Sequence, residues 1–477
     1  MGVNYRYMKE IDGGITAVQG VRAAGIACGI KKDEAIATIY GGNAMDLALI
    51  FCDEPATAAG VFTTNKVKAA PVLVSQEHIK NGEAQAIVAN SGNANACTGE
   101  RGFKDARRMT ELTARELNID PELALVGSTG RIGTPMPMDE VEKGIKLAAS
   151  ELSANGGHQA ARAIMTTDTF PKEVALEFDL QDKYDPSLHK KQIPPHPPLP
   201  KGGNFSIPPL VKGNLPTPPL AKGNLPTPPL AKGNLPTPPL AKGGRGDLKA
   251  RIGGMVKGAG MIEPNMATML CFLTTDICMN HVLLQEALKA AVDKSFNMIS
   301  IDGDMSTNDT VIILANGKAG NDRIEEQNDD YERFSEALNS VTLSLAKMIV
   351  KDGEGATKFI ELRIKGARSY DDAKTAAHSI ARSPLVKTAM FGEDPNWGRF
   401  MASLGASGAE MDGSNVDIWL DNLKIVENSI STGFSEMHAK EVLKKAEFII
   451  TIDLKVGEAE ATMWTCDLSY DYVKYNV

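Results

Sequence analysis

Residues 253–270 read Gly253-Gly254-Met255-Val256-Lys257-Gly258-Ala259-Gly260-Met261-Ile262-Glu263-Pro264-Asn265-Met266-Ala267-Thr268-Met269-Leu270, and Cys271, Phe272 and Leu273 continue the apolar run. Thr268 therefore opens an apolar strand. A threonine in such a place is most often a β-branched core residue. Here it follows a glycine-rich run that reads as flexible, a lysine eleven residues upstream, and the small Ala267 directly before the hydroxyl residue. That combination reads as a self-cleaving junction.

Working outward, Val174, Leu176, Phe178 and Leu180 alternate with Glu177 and Asp179, the period of a half-buried strand, and 248–256 reads as a second strand. Between them, 194–243 holds three identical copies of NLPTPPLAKG (214–223, 224–233 and 234–243) behind two degenerate ones, with 16 of the 26 prolines. Proline lacks an N–H donor and the segment has no acid, so it cannot build a packed core; it reads as an extended, solvated, disordered insertion where a hairpin turn belongs. Further on, Ile360, Leu362 and Ile364 alternate with Glu361 and Arg363, and Ile450, Ile452, Leu454 and Val456 alternate with Thr451, Asp453 and Lys455. Helical spacing marks 106–117, 141–152, 282–296, 334–350, 372–380 and 437–446. Strands interleaved with helices predict an α/β fold of layered sheets with flanking helices.

A chain of 477 residues with 43% hydrophobic content has room for two or three domains. Its 51 basic and 60 acidic residues give a net charge of −9, and because 191–243 carries six lysines and no acid, the remainder is more acidic still. Such a body has no overall basic field for a nucleic-acid backbone, so no nucleic-acid partner is expected. Arg6, Lys9, Glu10, Asp12 and Arg22 interrupt the first thirty residues, and no apolar run reaches membrane length. No membrane partner is expected, and a reducing cytoplasm is the simplest location. The six cysteines (Cys28, Cys52, Cys97, Cys271, Cys278 and Cys466) form no CxxC pair and have no histidine at ligand spacing. They read as small buried hydrophobes, with no metal expected.

A second informative stretch, Gly127-Ser128-Thr129-Gly130-Arg131-Ile132-Gly133, follows the apolar residues 123–126. Most glycine-rich heptads are plain strand-to-helix turns, and this one has neither the ending of a P-loop nor the spacing of a dinucleotide fingerprint. Its other use is to aim freed N–H groups, with a threonine hydroxyl beside them, at an anion or a developing oxyanion.

With these stretches and several others, the chain resembles the bifunctional glutamate N-acetyltransferase and ornithine acetyltransferase family of arginine biosynthesis (ArgJ type). The matching motifs are Val61-Phe62-Thr63-Thr64-Asn65-Lys66-Val67-Lys68-Ala69-Ala70-Pro71, Asn90-Ser91-Gly92-Asn93-Ala94-Asn95-Ala96-Cys97-Thr98-Gly99, Met165-Thr166-Thr167-Asp168 and residues 257–270. Others are Asp302-Gly303-Asp304-Met305-Ser306-Thr307-Asn308-Asp309-Thr310, Asp352-Gly353-Glu354-Gly355-Ala356-Thr357-Lys358, and Phe391 with Asp394-Pro395-Asn396-Trp397-Gly398-Arg399. The likeness spans nearly the whole chain outside the proline array. It implies the layered fold of self-cleaving N-terminal-threonine acyltransferases (DmpA/ArgJ-like), with autoproteolysis between Ala267 and Thr268. The products would be an alpha chain, 1–267, and a beta chain, 268–477, two of each forming an α2β2 assembly. Thr268 is then the nucleophile, Thr129 and Gly130 form the oxyanion hole, and Thr167, Lys257, Thr268, Glu354 and Asn476 contact substrate. The implied reaction moves acetyl from N2-acetyl-L-ornithine to L-glutamate through acetyl-Thr268 without a cofactor; acetyl-CoA is a further donor in some members. Family members usually end in Asn-x-x-Tyr-x-Ser/Thr, whereas this chain stops at Tyr472-Val473-Lys474-Tyr475-Asn476-Val477. Asn476 matches the asparagine, and the terminal tyrosine and hydroxyl residue have no counterpart, so weaker substrate binding is expected.

The chemistry suits these residues. A threonine hydroxyl needs a base, and no His–carboxylate pair lies near Thr268 in sequence. Cutting before Thr268 creates an α-amine of pKa about 8, which is partly free base near neutrality. Both amino acids share an α-carboxylate that one cation can hold in turn; Lys257 is the candidate, against the plainer reading of a surface lysine. Glu354 would bind the substrate amine or orient that of Thr268, against an ordinary helix-terminal charge. Water in place of glutamate would make the same nucleophile an amidohydrolase or aminopeptidase. A scaffold that presents the proline array to a polyproline-binding domain predicts an uncut chain.

Overall fold

Leu270–Thr275, the strand that follows Thr268, lies wholly buried inside a nine-stranded sheet of a computed structural model. The structure describes residues 7–31, 44–180, 248–263 and 269–477; Ala267, Thr268 and the proline array lie outside them. From one edge the sheet runs Met8–Glu10, Lys172–Asp179, Lys249–Lys257, Leu270–Thr275, Thr310–Ala315, Leu47–Phe62, Glu83–Asn93 and Ala124–Arg131. Val21–Ile26 pairs with residues 47–52 of the long strand. Leu270–Thr275 has antiparallel Lys249–Lys257 on one side and parallel Thr310–Ala315 on the other. Its sequence is apolar without alternation because both faces of the sheet are covered.

The two strands that flank the array pair antiparallel from Lys172 opposite Val256 to Asp179 opposite Lys249. The glycine-rich run is less free than the sequence predicts, since residues 253–257 belong to this buried strand. A Cβ on Gly253 would lie 2.1 Å from the Gly14 carbonyl oxygen, and one on Gly254 would lie 2.4 Å from Leu273 Cδ2. Glycine serves close packing there, on both faces of one strand.

A second, seven-stranded sheet runs Ile430–Ser431, Leu423–Glu427, Asp417–Leu420, Glu447–Asp453, Phe359–Ala367, Ala459–Cys466 and Ile299–Ser300. The alternating stretches around Ile360 and Ile450 form its parallel central pair. Between the sheets, helix Asp329–Lys351 buries Phe334, Leu338, Val341, Leu345 and Ile349 along one stripe. It packs on Lys172–Asp179 and Lys249–Lys257 and reaches Ala459–Cys466, so one apolar core joins the sheets. Each large side chain buried there contributes about 1.5–3 kcal/mol of transfer free energy. Asn328 starts the helix by accepting the Tyr331 N–H at 3.0 Å.

The other helices expected from periodicity are Gly99–Leu117, Met138–Ser150, His281–Lys294, Tyr370–Ala381 and Glu436–Leu443. Five more among the described residues, Ala70–His78, Gly157–Ala163, Pro384–Phe391, Trp397–Gly405 and Tyr470–Tyr475, last only two turns or so and show too few repeats of the period to read. No helix among the described residues is long and apolar enough to cross a membrane. The cysteine expectation needs correction: Cys52, Cys271 and Cys466 are buried, Cys28 and Cys278 are half-buried, and Cys97 is exposed. Cys97 sits in a loop with φ +56°, outside the strands that bury Cys52, Cys271 and Cys466.

Candidate active site

Lys257 is the last residue of Lys249–Lys257 and is 2% exposed, so it is no surface lysine. Its Nζ donates to Thr129 Oγ1 at 3.2 Å. Four strands of the sheet separate these two residues. The sheet curls until Ala124–Arg131 comes against Leu270–Thr275, where a Cβ on Gly127 would meet Phe272 Cζ at 3.1 Å. Ser128, Thr129 and Gly130 belong to the end of that strand, which corrects the reading of the heptad as a turn. Gly130 has φ +131°, and a Cβ there would approach the Gly92 carbonyl carbon to 2.4 Å, so only glycine fits.

Behind Lys257 lies a buried ionic group. Lys172 Nζ lies 2.6 Å from Asp168 Oδ1 and 2.5 Å from Asp352 Oδ2, with all three side chains essentially without solvent. Asp168 also accepts the N–H groups of Gly258 at 2.7 Å and Thr166 at 2.9 Å, and Asp352 accepts the Thr169 N–H at 3.0 Å. Burial works to raise the Asp168 carboxyl, but Lys172, Lys257 and the Gly258 N–H outweigh it and hold the group well below the usual carboxylate range. Lys257 moves down from the ordinary lysine value, chiefly through burial, while Asp168, Glu354 and Asp309 oppose the shift. Lys31, buried at the far side, donates to the carbonyls of Met45 and Met165 at 2.8 Å each, and burial brings it down to about 8. The Met165–Asp168 motif is thus tied down at both ends, with half-buried Thr167 within it.

Glu354 follows helix Asp329–Lys351, and its N–H donates to the Ala259 carbonyl at 2.9 Å, two residues beyond Lys257. A Cβ on Gly260 would fall 2.4 Å from Glu354 Oε2, so a larger residue would displace the carboxylate. Asn476, just after helix Tyr470–Tyr475, donates from Nδ2 to Glu354 Oε2 at 2.9 Å. In the same region Tyr472 donates to Asp302 Oδ2 at 3.4 Å, and Asp302 accepts the Ile262 N–H at 2.9 Å.

The expected residues Thr129, Gly130, Thr167, Lys257, Glu354 and Asn476 therefore fall on elements that converge around Lys257, its hydrogen bond to Thr129 and its proximity to Glu354 linking them. Ala267 and Thr268 lie outside the described residues. Thr268 is bonded to Met269, whose N–H donates to Asp309 Oδ1 at 3.1 Å. Sequence reasoning passed over Lys31, Lys172 and Asp309, and gave no role to Asp168 or Asp352. Asp168, Asp309 and Asp352 stand in the quoted motifs, which was the available signal; Lys31 and Lys172 have none. A His–carboxylate pair is also present near the junction, although no such pair stands there in sequence. His378 Nε2 on helix Tyr370–Ala381 lies 2.5 Å from Glu263 Oε1, while Ser300 donates to Glu263 Oε2 at 2.7 Å.

The chain matches the model of the ArgJ family over residues 22–188 and 241–477, two stretches that flank most of the proline array. The chain belongs to the ArgJ family. It is 45% identical over 469 residues to the arginine biosynthesis bifunctional protein ArgJ of Symbiobacterium thermophilum, with 98% of this chain and 99% of that protein covered. The ArgJ of Caldanaerobacter subterraneus is 44% identical over 473 residues, again with 98% and 99% covered. Among solved structures, a crystal structure of the ArgJ of Bacillus halodurans is 42% identical, covering 43% of this chain and 95% of that one, with a TM-score of 0.41.

Proposed function

We propose that this chain is an acetyltransferase of arginine biosynthesis that cuts itself between Ala267 and Thr268 and then carries acetyl on Thr268 from N2-acetyl-L-ornithine to L-glutamate. The supporting observation is the pairing of buried Lys257 with Thr129 beside a glycine that admits no side chain, at the end of the strand leading to the junction. A hydroxyl that accepts from lysine keeps its own proton to donate. Thr129 and the Gly130 backbone are the donors for the oxyanion formed when Thr268 attacks an acetyl carbonyl. The Thr268 amine, once freed, takes the hydroxyl proton, and the donor's amine leaves with that proton. Lys257 holds the α-carboxylate of each amino acid in turn; Glu354, Asn476 and Thr167 line the same place and receive the rest of the substrate.

The two fragments would remain joined after the cut. Leu270–Thr275 and Thr310–Ala315, from residues 268–477, lie between Lys249–Lys257 and Leu47–Phe62, from residues 1–267, so separation requires tearing the sheet on both sides. Two such pairs form the α2β2 assembly. The test is direct. The purified protein should run as two bands on a denaturing gel, the smaller beginning at Thr268, and labelled glutamate should gain acetyl when N2-acetylornithine is supplied. Acetyl-CoA offered in the same assay determines whether it is a second donor. A single full-length band from active protein would remove the proposed base and sink the mechanism.

A further inference from the structure

Of the motif that runs from Asp352 to Lys358, the reaction just described uses only Glu354. Its later residues are fastened to the segment that carries Asn476, and the second sheet explains why the two meet. Phe359 stands opposite Cys466 in the antiparallel pair of Phe359–Ala367 and Ala459–Cys466, so the residues before 359 and those after 466 leave the sheet side by side. Buried Asp467 accepts the N–H groups of Thr357 at 2.8 Å and Lys358 at 2.9 Å, and the Thr357 hydroxyl at 2.5 Å. Two residues on, buried Ser469 donates its hydroxyl to the Gly355 carbonyl at 2.6 Å and accepts the Asp471 N–H at 3.1 Å. Gly355 has φ +68°, and a Cβ on it would lie 2.5 Å from the Tyr472 nitrogen, so only glycine lets helix Tyr470–Tyr475 come this close.

That helix buries none of its own side chains. Hydrogen bonds attach it: Ser469 at its start, Tyr472 to Asp302, and Asn476 just past its end, with the Tyr470 ring edge-on to Phe391. Asn476 Nδ2 donates to the Tyr472 carbonyl at 3.0 Å as well as to Glu354 Oε2 at 2.9 Å, so the helix sets where the amide reaches.

We propose that Ser469 is a positioning residue for the transfer reaction. Its one hydroxyl ties the loop of Glu354 to the start of the helix that carries Asn476, and thereby fixes the Glu354 carboxylate where the substrate meets it. This rests on the reading of Glu354 and Asn476 as substrate contacts given above. Ser469 itself acts only through them. Removing the hydroxyl leaves the Gly355 carbonyl and the Asp471 N–H without their shared partner, and the Asn476–Glu354 bond then spans a joint that no longer holds its two sides in register. Asp467 still anchors Thr357 and Lys358, so the loop keeps its place in the fold while the carboxylate loses its setting.

Wild type, Ser469→Ala, Ser469→Thr, Asn476→Ala and the double variant Ser469→Ala with Asn476→Ala can be assayed for acetyl transfer from N2-acetylornithine to labelled glutamate, with circular dichroism of each. Ser469→Ala should raise the KM for glutamate about 5- to 10-fold and leave the turnover number within a factor of about two. Ser469→Thr keeps a hydroxyl and a helix cap, and it should recover most of the wild-type KM. Because both residues act on one carboxylate, the double variant should have a KM close to that of Ser469→Ala alone, well short of the product of the two effects. An unchanged KM in Ser469→Ala, a loss confined to the turnover number, a Ser469→Thr no better than Ser469→Ala, or effects that multiply in the double variant each overturns the proposal and leaves the acetyltransferase reading standing. A wild type that moves no acetyl to glutamate sinks that reading and this inference with it. If Ser469→Ala does not fold, Gly355→Ala decides, since its Cβ forces the helix away from the same loop: an unchanged KM there overturns the proposal.

Discussion

Lys257 Nζ donates to Thr129 Oγ1 across 3.2 Å, joining the strand that leads into the junction to one that lies 128 residues earlier. The bond occupies a lone pair of the hydroxyl and leaves its proton free for an oxyanion. Thr129→Val keeps the shape and removes that donor. The turnover number should fall about 100- to 1000-fold, or ~3–4 kcal/mol of barrier, with KM nearly unchanged. Steady-state kinetics check this; a loss confined to KM would move Thr129 from the oxyanion to ground-state binding.

The Lys172 group predicts both stability and its pH dependence. Lys172→Met leaves Asp168 and Asp352 buried without their shared cation, and should cost about 3–5 kcal/mol in denaturant unfolding. The Asp168 carboxyl has a folded pKa below its unfolded value of about 3.9. Its contribution is therefore present above that value and lost as pH falls through the folded pKa. Unfolding measured from pH 6 downward should show Asp168→Asn less stable than wild type near neutrality, with the difference narrowing in acid. A difference that stays constant down to pH 2 would contradict this.

Asn476 is exposed, and its bond to Glu354 sets one oxygen of that carboxylate. Asn476→Ala should leave the thermal midpoint unchanged, as surface substitutions usually do. The KM for glutamate should rise several-fold, corresponding to one hydrogen bond of about 1 kcal/mol. An unchanged KM would place the substrate amine elsewhere.

Residues 194–243 lie outside the described residues, but the strands on either side are paired up to Asp179 opposite Lys249. A short turn can therefore close that ladder. Replacing 194–243 with Gly-Asn-Gly should leave transfer within a factor of about two and stability within about 1 kcal/mol, because each doubling of loop length costs only about 0.6 kcal/mol. Loss of cleavage or of most activity in that variant would make the array part of the working structure.

By itself, the sequence determined whatever depends on local period and order. The unbroken apolar run after Thr268 specified a strand with no solvent face, alternation around Val174, Ile360 and Ile450 specified half-buried strands, and the stripe from Phe334 to Val350 specified a helix. The ordered motifs specified the family. Tertiary structure alone decided which charges are buried and with whom. Lys257 looks like any lysine in sequence; it is buried because the sheet curls Thr129 over it. Lys172 finds Asp352 180 residues away, and Asp309 reaches the Met269 N–H across 40. Gly253 and Gly254 read as flexibility, yet they are tight because other backbone and side chains press on both faces of their strand. Periodicity is written in neighbouring residues, whereas burial and ion pairing follow from which distant segments the closed core brings together.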